Sequence, residues 1–244
     1  MTKLVSKDQT NKSTYGQYCP LALATELLCR RWTILVVSRL IDGCRTFNEI
    51  HRGVPKISPS LLSTRLSELE HAGIVSRVKE GKHHHYQLTE AGIDLTSLVD
   101  TMAIWGQRWA RDMNMEDLDP AFLAWSMSTR MNLAAMPETR TVIEFEFSGT
   151  PAELRRFWLV VVQGKVDMCL KHPGYESDLF VTADLRTFVE AWRGFRDLRQ
   201  EIHSGKIQVV GAKQLVSQFP DWLMLSGLAP YERRVSGREM ELKS

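Results

Sequence analysis

Apolar positions in the first hundred residues fall at helical spacing, broken by short polar punctuation. After Cys19-Pro20, the stretch LALATELLC sets Leu21, Leu23, Ala24, Leu27 and Leu28 along a helix, and Pro20 suits its first turn. Residues 32–41 (WTILVVSRLI) are nearly all apolar, which predicts a second, buried helix ended by Asp42-Gly43. Residues 45–47 read as a short extended piece. Asn48 then caps a brief helix through His51, closed by Val54-Pro55. The next run, KISPSLLSTRLSELEHAGIV, carries its own boundaries: Ser58 as N-cap, Pro59 at the first helical position and Gly73 just past the end. Leu62, Leu66 and Leu69 line one face, with Leu61 beside them. The opposite face holds Ser60, Thr64, Ser67 and His71, with Ser63 on the flank. Small hydroxyl side chains in place of the usual Glu and Lys permit close approach to another surface.

The period then changes from helical to alternating. Residues 74–78 and 84–88 read as two strands around the turn Lys79-Glu80-Gly81-Lys82, so the histidine triplet of EGKHHHYQLTEAG lies on the descending strand. Thr89 caps a long helix carrying Ile93, Leu98, Val99, Met102, Trp105 and Trp109 and running to about Met113. Helix, helix, short strand, helix, helix, hairpin, long helix is the order of a winged helix-turn-helix.

The second half mixes strands and helices. Asp117 to Pro120 looks like a hinge, and AFLAWSMSTRMNLAAM predicts a helix ending at Pro137. TVIEFEF alternates, with Ile143, Phe145 and Phe147 on one face and Glu144 and Glu146 on the other. RFWLVVVQGKVDMCL is a hairpin turning at Gln163-Gly164, and DLFVTAD adds a strand. LRTFVEAWRG and FRDLRQEIHSG are helices ended by Gly194 and Gly205. KIQVVG is a last strand and AKQLVSQFPDWLMLS a last helix, which together give an α+β domain. The expected division is an arm at 1–14, a mainly-α winged-helix domain at 15–115, a linker and connecting helix at 116–140, an α+β domain at 141–228 and a charged tail at 229–244.

Charge separates the halves. Residues 1–115 carry 15 Lys and Arg against 11 Asp and Glu, whereas residues 116–244 carry 16 against 18. Within 28–82 the ratio is 10 to 5, so the first half is the part suited to a polyanion. No apolar run reaches membrane-spanning length, and the polar start lacks the apolar core of a signal peptide. Both point to a cytoplasmic protein without a membrane. Cys19, Cys29, Cys44 and Cys169 form neither a disulfide framework nor a CxxC pair; Cys29 and Cys44 flank an apolar helix and read as core, and Cys169 is a candidate for facing a ligand cavity.

CPLALATELLCRRWTILVVSRLIDGCRTFNEI, the SPSLLSTRLSELEHAGIV helix and the YQLTEAG ending resemble the HxlR-type winged-helix regulators, relatives of the MarR group. The resemblance covers residues 15–113. It implies a homodimer on double-stranded operator DNA, with residues 58–72 as recognition helix and 74–88 as wing. The candidate DNA contacts are Arg45 and Arg52; Ser58, Pro59, Ser60, Ser63, Thr64, Arg65 and Ser67 on the helix; and Lys79, Lys82, His83 and His84 on the wing. Serine and threonine read bases less strictly than a bidentate Arg or Asn, so the operator sequence is not deducible. From 141 to 226 the pieces DLFVTADLRTFVEAWRG and IHSGKIQVVG resemble the sterol-carrier-protein-like fold. That resemblance implies a site for an apolar small molecule, for which Phe145, Phe147, Trp158, Phe180, Phe188, Trp192 and Phe195 are the candidates.

Each reading has a plainer rival. Three consecutive histidines suggest a metal, but alternate strand residues point to opposite faces, so only His83 and His85 share a side and the wing reading is preferred. Cys19 precedes a helix start, where the dipole favours a thiolate, and some relatives sense oxidants at this Cys-Pro position; the alternative is a structural thiol. The aromatic set is equally suited to be core. GxGxxG and GxxxxGK[ST] are absent, and His172 and His203 lack partner motifs, so neither catalysis nor a cofactor or metal is expected. The expected function is ligand-responsive transcriptional regulation. A Cys19-based redox regulator and a lipid carrier with a non-DNA interaction module are the alternatives.

Overall fold

The computed structural model describes residues 14–81 and 83–234, with the side chain of His83 excepted. Most of the expected arm, Lys82 and the last ten residues of the tail lie outside the described residues. Contacts divide the chain into two units. The first comprises residues up to Phe47 together with Ile57–Ile93; the second comprises Asn48–Lys56 together with Asp94 onward. The expected boundary at 115 therefore lies inside the second unit.

The first unit contains α1 (Pro20–Leu28), α2 (Thr33–Ile41), α4 (Pro59–His71), the antiparallel hairpin β1 (Val75–Glu80) and β2 (His83–Leu88), and α5 (Glu90–Ile93). The start of α4 follows its sequence: the Ser58 hydroxyl accepts from the Leu61 N–H at 3.3 Å, and Pro59 needs no donor there. Leu62, Leu66 and Leu69 are buried, as are Val36, Val37 and Leu40 of α2. Residues 45–47 are not a strand, although the Arg45 carbonyl accepts from the Tyr86 N–H at 2.7 Å. The expected long helix after Thr89 is broken. It forms α5 and then α6 (Thr96–Trp109). At the break a Cβ on Gly92 would stand 2.3 Å from the Ile74 carbonyl oxygen, a close approach that only glycine permits.

The second unit contains α3 (Phe47–Gly53, from Asn48), α6, α7 (Pro120–Ser128), a five-stranded mixed sheet, α8 (Leu185–Trp192), α9 (Leu198–His203) and α10 (Lys213–Trp222). The strands β3 (Thr141–Ser148), β4 (Arg156–Val162), β5 (Lys165–Cys169), β6 (Leu179–Asp184) and β7 (Ile207–Gly211) lie in the order β5-β4-β3-β6-β7. Only β3 and β6 run parallel. One face of the sheet, with Ile143, Phe145, Phe147, Phe157, Leu159 and Val181, packs on residues of α7, α8, α9 and α10 in one core. The connecting helix is shorter than expected: α7 stops at Ser128, and a 3-10 turn at Leu133–Ala135 replaces its second half.

Between α6 and α7 the chain is closed on itself by the Arg111–Asp117 ion pair. Arg111 donates to both carboxylate oxygens of Asp117, at 2.6 and 2.9 Å, and the Asn114 N–H donates to the same carboxylate at 2.7 Å. These hold the Asp117 carboxyl down to about 2. The folded-state value lies below the ordinary one. The interaction therefore contributes fully above the ordinary value of 3.8 and is lost as pH falls toward 2. Acid titration of unfolding between pH 4 and 2 should show wild type losing stability that Asp117→Asn does not, measured by circular dichroism. Phe145→Ala should cost about 3–5 kcal/mol in urea unfolding, because its ring is fully buried in the core.

Candidate nucleic-acid interface

Helix α4 shows two chemically different sides. Its buried side is apolar. On the other, Ser58, Pro59, Ser60, Ser63, Thr64, Ser67 and His71 are all exposed. The Thr64 hydroxyl donates back to the Ser60 carbonyl at 3.0 Å, and Ser58 and Ser60 oxygens lie 3.2 Å apart, so the local hydroxyls are partly committed to their own helix. What they leave outward is a shallow surface of small acceptors and donors.

The hairpin supplies the charge. Strand alternation and the register Arg77↔Tyr86 and Lys79↔His84 set Arg77, Lys79 and His84 on one face, all exposed. His85 lies on the other face with Glu80, its Nε2 3.5 Å from a Glu80 carboxylate oxygen. Arg77 was missing from the sequence candidates. The same alternation that selects Lys79 also selects it, two positions earlier.

Two of the three arginine candidates are placed differently from the expectation. Arg65 does not project from the α4 surface. Its Nε donates to the Arg31 carbonyl at 2.9 Å and its Nη1 to Glu68 at 2.7 Å, leaving the side chain 15% exposed. Glu68 also accepts from Arg30 at 2.7 Å, so the arginine serves to fix α4. Arg52 is exposed but belongs, with α3, to the second unit, where its charge acts on the Cys169 thiol; burial nevertheless raises that thiol above its ordinary range. Arg45 is exposed in the first unit.

The aromatic candidates of the second half are not brought to one surface. Phe145, Phe147 and Phe188 are packed on one another and on Phe157, with ring centroids 4.9–6.2 Å apart, and Trp192 is buried in the same core. Trp158 and Phe180 lie on the opposite face of the sheet, because each is paired with Glu144 of the outward alternation. Cys169 is paired with Trp158 and so shares that outer face. Phe195 is half-buried beneath the guanidinium groups of Arg193 and Arg233. A single concave lining from all seven is thereby corrected. Cys29 is exposed and Cys44 half-buried, so Cys29 is not core; Cys19 is exposed at the start of α1. Among the described residues no helix is long and apolar enough to cross a membrane.

Comparison with known proteins finds matches to the first half of the chain. The HxlR-like helix-turn-helix family matches residues 27–114. An uncharacterized HTH-type transcriptional regulator of Bacillus subtilis strain 168, YvaP, is 32% identical over 112 residues, 44% of this chain and 96% of the relative. The HTH-type transcriptional regulator YodB of the same organism is 36% identical over 95 residues, 37% of this chain and 85% of the relative. The solved reduced form of YodB shares 33% identity and superposes with a TM-score of 0.36 over 40% of this chain and all of that one. The family match ends before β3 begins.

The separate roles of the arginines are testable. Arg65→Ala should lower stability by about 1.5–3 kcal/mol, since Glu68 and the Arg31 carbonyl lose a charged donor. Arg77→Ala should stay within about 0.5 kcal/mol of wild type. Thermal unfolding of the two variants, side by side, distinguishes them.

Proposed function

The chain belongs to the HxlR-like helix-turn-helix family, and on that premise we propose that it is a homodimeric transcriptional regulator that reads duplex operator DNA with α4 and its wing. The observation that carries this reading is the pairing, in one unit, of a small-residue helix face with an exposed wing face of Arg77, Lys79 and His84. Phosphates would be met by the wing cations, and bases by Ser60, Ser63, Thr64 and Ser67. Two copies are required because specific binding of this class spans two half-sites about 34 Å apart. Leu98, Met102 and Trp105 recur at helical spacing on α6 and are 42%, 47% and 61% exposed, an apolar stripe suited to a second copy.

A regulatory role for the second unit rests on a five-stranded mixed sheet with helices packed on one face, as a sterol-carrier-like domain would have. An apolar ligand there would have to separate Phe145, Phe147 and Phe188 from their neighbours, which disfavours the plain carrier reading. A second reading is favoured by Cys19. This thiol is exposed immediately before Pro20 of α1, where an oxidant or electrophile can reach it.

Fluorescence anisotropy against a genomic fragment library should find specific duplex binding that weakens steeply with salt. Lys79→Ala should weaken binding to all sequences alike and lower the salt slope by about 1. Only sequence-independent affinity would overturn the regulator reading. Treatment with diamide should change operator affinity in wild type and leave Cys19→Ser unaffected if the thiol reading holds.

A further inference from the structure

The segment that leads into the recognition helix belongs to the second unit, although α4 belongs to the first. Asn48–Lys56 covers most of α3 and the turn after it, and Lys56 stands two residues before the N-cap Ser58. Within the second unit this segment is tied directly to the stretch after α6. The Lys56 ammonium donates to the Glu116 carbonyl at 2.7 Å.

Glu116 is in a stiffened loop. The Arg111–Asp117 pair and the Asn114 N–H close it, and Arg186 of α8 donates to the Met113 carbonyl at 2.7 Å. The same end of α6 is bolted to the C-terminal core. Gln107, 1% exposed, donates to the Arg193 carbonyl at 3.1 Å and accepts from the Arg193 guanidinium at 2.6 and 3.2 Å. Arg233 donates to the Ala110 carbonyl at 2.9 Å and pairs with Asp112 at 2.9 Å. A continuous set of hydrogen bonds therefore runs from α8 through the loop to the turn that starts the recognition helix.

From this, and resting on the DNA-binding reading above, we infer that Lys56 is a positioning residue: through the Glu116 carbonyl, the C-terminal unit sets where the recognition helix begins. Lys56 acts on DNA affinity through the turn and not as a phosphate contact. Holding the turn in one place removes conformations that α4 would otherwise have to lose on binding, so the tie raises affinity without adding a contact to DNA. It also makes the joint at Lys56–Ile57 the point where a change in the second unit would be felt by α4.

Asp117 supplies a test of opposite sign. Removing an acidic charge should, by simple electrostatics, leave polyanion affinity unchanged or raise it. On our inference Asp117→Asn lowers it, because the loop presenting the Glu116 carbonyl loosens. Operator titrations of full-length wild type, Lys56→Gln, Asp117→Asn and the double variant should be run over a series of salt concentrations. The expected result is that each single variant binds about 3- to 10-fold more weakly with an unchanged salt slope, and that the double variant is no weaker than the weaker single. Additive losses, or a slope reduced by about 1 in Lys56→Gln alone, would make Lys56 a phosphate contact and overturn the inference. Hydrogen exchange without DNA gives an independent readout: the amides of residues 51–57 should exchange faster in Asp117→Asn, and unchanged protection would also overturn it. If wild type binds no specific duplex, the regulator reading fails, while the exchange experiment still decides whether the tie exists.

Discussion

Glu68 fixes the orientation of α4, on which the exposed face of the first unit depends. It accepts from Arg30 on one carboxylate oxygen and from Arg65 on the other, and Arg65 reaches on to the Arg31 carbonyl. Helix α4 is thus tied to the segment between α1 and α2 on its polar flank, while Leu62, Leu66 and Leu69 bind its apolar side to the core. A helix held on two sides cannot roll, so the serine face has one orientation. The arginine best placed by sequence to touch DNA is spent on that tie (a charged group already making two good hydrogen bonds gains little by leaving them).

The second unit is ordered by a different constraint. Its β3 strand carries phenylalanines on one side and glutamates on the other, and the sheet resolves the difference by placing every helix of the core against the phenylalanine side. Packed aromatic rings give this half its rigidity and leave it a poor open container. The outer side keeps Trp158 covered, with the His172 ring 5.4 Å away, and balances Glu144 and Glu146 with Arg156.

Rigidity matters because of where the unit boundary falls. A helix-turn-helix is ordinarily treated as one body, yet here its first helix sorts with the C-terminal unit and its second with the wing. Lys56, Arg111, Asp117 and Arg186 link the turn after that first helix to α8 through polar ties. Such polar ties are individually modest in solvent. They are suited to setting a position, and to being released, more than to adding stability.

Much of this protein was legible in its residues. Helix α4 was readable to its last turn because Ser58-Pro59 and Gly73 act locally, within one turn of where they stand. The Gln163-Gly164 turn and the alternation of EFEF were readable for the same reason. The wing's Lys79 followed from period two, and the same alternation, taken two positions further back, would have found Arg77, which was missed. What the residues alone left open was every question of partner. Whether Arg65 faces DNA or Glu68, whether Trp158 joins Phe145 or lies across the sheet from it, and whether α3 belongs with α4 or with a strand more than a hundred residues later all depend on contacts distant in sequence. The close approach of Gly92 in α5 to a carbonyl eighteen positions earlier was hidden likewise. Local chemistry determined the elements, because caps, turns and periods act over a few residues. Tertiary structure decided which side chains were left free to meet another molecule, because an arginine or a phenylalanine is used up only by the neighbour that folding brings to it.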